Sequence, residues 1–154
     1  MIKRTLTLLA FVASAGLAHA EDPHSVFDTF MTQGGASHIK IFDCGNGSPC
    51  GKIVWINPNT LPAGVTANSA TGLNGEPVLG QMILKGFDRK RKDWRGGTIY
   101  DPENDKRYAA RLKRLTDGNL QLKGCIGPIC QTQVWEHVPI QSAAITNTTS
   151  SNQE

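Results

Sequence analysis

Past residue 20, this 154-residue chain has no apolar run long enough to cross a bilayer as a helix. It also lacks the usual catalytic signatures: there is no G-x-S-x-G, no H-E-x-x-H and no nucleophile–base pair at a recognisable spacing. Carboxylates are few and sit mostly in turns. These absences point away from an enzyme and leave an unrecognised hydrolase as the third of three readings. Cys-x-x-Cys is missing, which argues against thioredoxin-type redox chemistry. His24, His38 and His137 show no ligand spacing with the cysteines, so no zinc site is expected. Asp101-Pro-Glu103-Asn-Asp105 opens like a calcium loop, but Lys106 stands where glycine is needed and Leu112 where the closing glutamate belongs. Asp, Pro and Asn are also what a hairpin turn requires, and we read the segment as a turn. Gly45-Asn-Gly47 opens no helix and is no phosphate loop. No metal or cofactor is expected.

The first twenty residues have a basic start (Lys3, Arg4), an apolar run from Leu6 to Ala18 and an Ala18-His19-Ala20 ending. That is the pattern of a secretory signal peptide cleaved after Ala20. No cysteine adjoins the site, so lipid attachment there is not expected. Cleavage removes Lys3 and Arg4, so Lys plus Arg falls from 16 to 14 against 13 Asp plus Glu. The net charge of +1 that remains gives no whole-protein field to attract nucleic acid. Residues 21–138 are enough for one domain with one core, and 139–154 lack any apolar period and read as a disordered tail.

Helical apolar stripes are scarce, while glycines number 16 and prolines 8, which favours an all-β class. Within Glu21 to Thr32 we expect a short helix or lead-in and then a strand around Phe30. Further strands are expected at His38–Asp43, Lys52–Asn57, Gln81–Phe87, Thr98–Tyr100, Lys106–Leu115, Asn119–Gly124 and Cys130–Val138. Residues 57–75 form a long loop, and such connections are usually functional or mobile. About eight strands in adjacent antiparallel pairs lose their edges most economically by closing into an up-and-down barrel. A two-sheet sandwich is the second arrangement. A barrel of about eight strands is either filled by side chains or holds one small ligand.

The segments CGNGSPCGKIVWI, EPVLGQMILKGF, WRGGTIYDPENDKRYAARLKRLTDGNLQLKGCIG and CQTQVWEHV, in that order, resemble the DUF2147 family of exported bacterial proteins. The likeness spans roughly Phe30 to Val138. It implies a lipocalin-like barrel and a periplasmic or secreted location, and no activity, because the family's function is unknown. Where such proteins open with G-x-W, this chain has Asp28-Thr29-Phe30, so Phe30 stands as the aromatic plug of the closed end. The 57–75 loop is longer than the family's usual connection.

Three sets of residues are candidates for function. Export to an oxidising compartment makes Cys44, Cys50, Cys125 and Cys130 a pair of disulfides, with three connectivities open. Chain entropy favours a long-range pair by about 4–5 against roughly 2 kcal/mol. Opposed hairpin positions favour Cys44–Cys50 and Cys125–Cys130, and we expect these. Trp55, Tyr100, Tyr108 and Trp135 are the expected lining of an interior that binds a small apolar or amphipathic molecule. The alternative is an envelope interaction module that uses the basic turn (Arg89, Lys90, Arg91, Lys92, Arg95) or the 57–75 loop, with an anionic polymer as partner.

Overall fold

The computed structural model describes residues 22–139. The expected signal peptide (1–20) and all of the expected tail except Pro139 lie outside them. The alternating segments become nine strands: β1 (Thr29–Met31), β2 (Ser37–Asp43), β3 (Pro49–Ile56), β4 (Met82–Lys85), β5 (Asp88–Arg89), β6 (Trp94–Asp101), β7 (Lys106–Arg114), β8 (Leu120–Ile126) and β9 (Ile129–His137). Their order is β4-β3-β2-β1-β9-β8-β7-β6, and β4 pairs with β6 to complete the ring. The result is a closed eight-stranded antiparallel barrel, with β5 as a short tab beside β6. The tab falls in the stretch expected to be only a charged turn.

Inward positions carry the core. Ile39 and Ile41 of β2, Ile53 of β3, Leu84 of β4, Leu112 of β7 and Leu120 of β8 are all buried. Small residues are placed where something must come close. The Phe87 ring fills the space in which a side chain at Gly97 would begin, and Leu84 Cδ1 stands 2.7 Å from where a Cβ on Gly51 would lie. These glycines let β4 and the residues after it press against β3 and β6 and close the ring.

Of the helix or lead-in expected at the N-terminus, the lead-in is what forms and the helix does not. Residues 22–28 are a series of tight turns held by Ser25 N–H to Asp22 O, Val26 N–H to His24 O and Asp28 N–H to Val26 O. The segment is spent on plugging one end of the barrel. Val26 is fully buried, and Trp94 Nε1 donates to His24 O at 3.1 Å. Arg114 N–H donates to Pro23 O at 2.9 Å. Phe30, also fully buried, lies beneath the Arg114 guanidinium, 4.9 Å from its ring centre.

The β2–β3, β5–β6 and β7–β8 turns sit with this plug at the closed end. The β1–β2, β6–β7 and β8–β9 turns and the long β3–β4 connection surround the other end. Cys44–Cys50 closes the β2–β3 hairpin (Cα–Cα 5.5 Å) and Cys125–Cys130 the β8–β9 hairpin (Cα–Cα 4.0 Å), so both bonds are the local ones. Each contributes roughly 2 kcal/mol through the short loop it closes.

This packing can be tested at two positions. Gly97→Ala should lower the unfolding free energy by about 1–3 kcal/mol in urea titrations, because the Phe87 ring must move; an unchanged midpoint would mean that the contact is not tight. In the β2–β3 turn, Asp43 accepts the backbone N–H groups of Gly45, Gly47 and Asn46, which hold its carboxyl below the ordinary carboxylate range. A depressed folded-state pKa gives stability that is present above the unfolded value, near 4, and lost as pH falls through the folded one. Asp43→Asn should therefore flatten the acid-side fall of Tm in a pH series.

Candidate functional site

The open end leads into a cavity of about 1000 Å³. Its origin lies in the side-chain sizes along β7 and β8. Towards the closed end the inward pairs are Leu112 with Leu122 and Arg114 with Leu120, and they fill the barrel. One step nearer the open end the pair is Ala110 with Gly124, and nothing large replaces them. A Cβ on Gly124 would meet only Ile99 Cγ2, at 3.9 Å. Beyond that step β9 is exposed on both faces from Ile129 to Val134, because its inner face looks into the cavity.

The apolar floor is formed by Ile39, Ile53, Leu122 and Trp135. The roof comes from the β3–β4 connection, a segment in which the sequence predicts only a long loop. It carries a 3-10 turn, Pro58–Thr60, capped by the Asn57 side chain, and packs Leu61, Val65 and Ala67 on the core, with Ala70 buried. A bridge between Thr71 and Pro77, and Leu73 N–H donating to Pro102 O at 2.8 Å, tie it to itself and to the β6–β7 turn. Leu61 and Val65, four apart in a polar stretch, are the available sequence signal for this roof. Gln131 and Gln133 share the inward face with Trp135, and Trp135 Nε1 donates to Gln133 Oε1 at 2.8 Å.

Of the four aromatic residues expected inside, three line the cavity: Tyr100, Tyr108 and Trp135. Trp55 does not. Simple alternation along β3 puts Trp55 on the same face as Ile53, but the register slips between His38 and Ile39, so Val54 is an extra residue. Ile53 and Ile56 are buried while Val54 and Trp55 are exposed, and the Trp55 ring lies 4.3 Å from that of His38 on the outside. A β-bulge reverses the face of each later residue in its strand, and the sequence gives no sign of this one.

Tyr100 is held at the mouth by its neighbours. Its hydroxyl donates to Asp105 Oδ1 at 2.8 Å and the Arg107 guanidinium carbon sits 4.6 Å from its ring centre. Burial first, and then the Asp105 carboxylate, push the phenol's pKa above its ordinary value. Asp105 reaches this position in a left-handed conformation (φ 50°) at the end of the Asp101–Asp105 turn. That turn is fastened by Asp101, which accepts the N–H groups of Glu103 and Asn104.

The basic turn lies at the closed end, remote from the mouth. Arg89 is 3.7 Å from Asp22, Lys90 3.5 Å from Asp88 and Arg95 2.6 Å from Asp93, so three of its five cations face carboxylates. Arg91 and Lys92 are exposed. Among the described residues no group of three or more His, Cys, Asp or Glu side chains has the geometry of a metal site.

The pKa direction at Tyr100 is testable. A raised folded-state pKa keeps the phenol protonated, so its contribution to stability is complete below the unfolded value, near 10, and is lost as pH rises through the folded one. Ultraviolet titration should show a late-ionising tyrosine that Tyr100→Phe removes; the absence of any such late phase would exclude the arrangement.

No curated protein matches this chain. Among solved structures it is similar to protein HP1028 from the human pathogen Helicobacter pylori, described as belonging to the lipocalin family. The TM-score is 0.54 and the identity 16%, over 79% of this chain and 86% of that one. At that identity the likeness concerns the fold, a lipocalin-like antiparallel barrel. The family model for an uncharacterised protein conserved in bacteria (DUF2147) matches residues 28–137, from the Asp28 carboxylate at the plug to the last residue of β9. The chain belongs to the DUF2147 family.

Proposed function

We propose that this protein is a non-enzymatic, exported barrel that binds one small apolar or amphipathic molecule in its interior. The observation that carries the reading is the cavity of about 1000 Å³, floored by Ile39, Ile53, Leu122 and Trp135 and roofed by Leu61 and Val65. Ligand sites are typically concave, mostly apolar and about 300–1000 Å³ in volume. A barrel that only needed stability would fill such a space, since each missing methylene in a core costs about 1 kcal/mol. The cavity lining includes Ser37 and Ser69 but no histidine, cysteine or lysine to activate them, which favours binding over hydrolysis. Two disulfides in a bacterial family support an extracytoplasmic location, and we place the cleavage of the leader after Ala20. The alternative reading, an interaction module on the basic turn, loses support from the carboxylates that face Arg89, Lys90 and Arg95.

The test uses Gly124, which has room for a side chain that would occupy the cavity. Native mass spectrometry of gently purified protein should show a small-molecule adduct, and an apolar fluorescent probe should bind with micromolar affinity. Gly124→Phe should abolish both and leave Tm within a few degrees of wild type. A protein that carries no adduct and takes up no probe would end the carrier reading.

A further inference from the structure

The cavity's charge is one-sided. Its lining contains the carboxylates of Asp101 and Glu103 and no lysine, arginine or histidine. Asp101, the last residue of β6, and Glu103, in the β6–β7 turn, stand at the mouth, whereas Trp135, Ile39 and Leu122 form the floor. A ligand with an apolar tail inside would thus bring its polar head to the acidic rim. Tyr108 is also there, half-buried and part of the lining, and its ring presents a face to which a cation is attracted.

The neighbouring groups bear on the sign. The cations next to Asp101, Glu103 and Asp105 along the chain are Lys106 and Arg107, both exposed. Arg107 stacks on Tyr100, showing that this corner of aromatic rings and carboxylates already holds one guanidinium. Asp101 spends Oδ1 on the turn's N–H groups and accepts from Asn104 Nδ2 at 2.7 Å through Oδ2, so its charge is fixed in place. Glu103 is exposed and makes no side-chain hydrogen bond among the described residues. A carboxylate or phosphate head drawn into this mouth would shed water without meeting a cation from the lining, and desolvating an unpaired charge is costly. A cationic head meets two carboxylates in a partly solvated site, where opposite charges attract more strongly than in bulk water.

We propose that the cavity selects cationic amphiphiles, an ammonium or amidinium head on an apolar body, over anionic ones such as fatty acids. The proposal rests on the binding reading above and adds to it the charge of the head and the residues that choose it, Asp101 and Glu103.

The experiment compares three ligands with the same tail, decyltrimethylammonium, decanol and decanoate, each below its micellar concentration. Binding is followed by calorimetry and by Trp135 fluorescence, at low and at high salt. The expected order of affinity is cation, then alcohol, then carboxylate, with the cation ahead of the carboxylate by about tenfold. Salt should narrow the gap. Glu103→Gln, at an exposed position, should reduce it by about threefold, and Glu103→Gln with Asp101→Asn should remove it while decanol affinity stays as in wild type. Decanoate binding as tightly as the cation or more tightly, with decanol also bound, overturns the charge selection and leaves the carrier reading intact. Failure of all three to bind, with Gly124→Phe indistinguishable from wild type, overturns both.

Discussion

The barrel depends on a closure made by very little chain. Strand β1 has three residues, and only Phe30 and Met31 pair with β9, opposite His137 and Glu136. Without that junction β2 and β9 would each present an open edge. Side chains reinforce what so short a ladder cannot hold alone. Asp28 Oδ2 lies 2.6 Å from His137 Nε2 and 3.6 Å from Arg114 Nη1, so one carboxylate ties β1's lead-in to β7 and β9. The Arg114 side chain, almost fully buried, rests on the Phe30 ring. Phenylalanine thus serves where a larger aromatic would plug the end, and the guanidinium covers the rest of the opening.

Closing one end so tightly makes the two halves of the barrel unlike each other. Near the plug, large side chains meet across the interior, and Leu112, Leu120 and Phe30 have no accessible surface. Above Ala110 and Gly124 the same strands continue to pair, held by backbone hydrogen bonds and by Cys125–Cys130, with no packed interior beneath them. The disulfide belongs at this end for that reason: it secures a hairpin whose Ile126 and Ile129 are 64% and 73% exposed and contribute little burial. Stability is drawn from the lower half and spent on an open upper half.

Charge shows the same polarity. The basic turn sits at the plugged end, with most of its cations matched by nearby aspartates, and the aspartates and glutamate of the β6–β7 turn sit at the mouth. The cations of the closed end are thus largely neutralised where they stand, whereas the cavity lining at the mouth carries carboxylates alone.

Much of the fold was legible before the structure. Period-two alternation in HIKIFD, KRYAARLKRL and CQTQVWEHV is a local property and located the strands; turn residues such as Thr116-Asp-Gly-Asn located the hairpins. The disulfide partners were legible too, because opposed hairpin positions are also set locally. Three features were not local, and the sequence did not reveal them. The bulge at Val54, which turns Trp55 outward, arises from how β3 meets β2. The folding of residues 57–75 into a roof depends on an apolar opening that exists only once the ring is closed. The N-terminal turns around Val26 are set by the plug they enter. The sequence by itself determined which segments are strands and which cysteines oppose each other, because neighbours along the chain decide both. Whether the interior is packed or hollow, and which side chains face it, were decided only by tertiary structure, since eight strands must meet before their inward residues can be summed against the space between them.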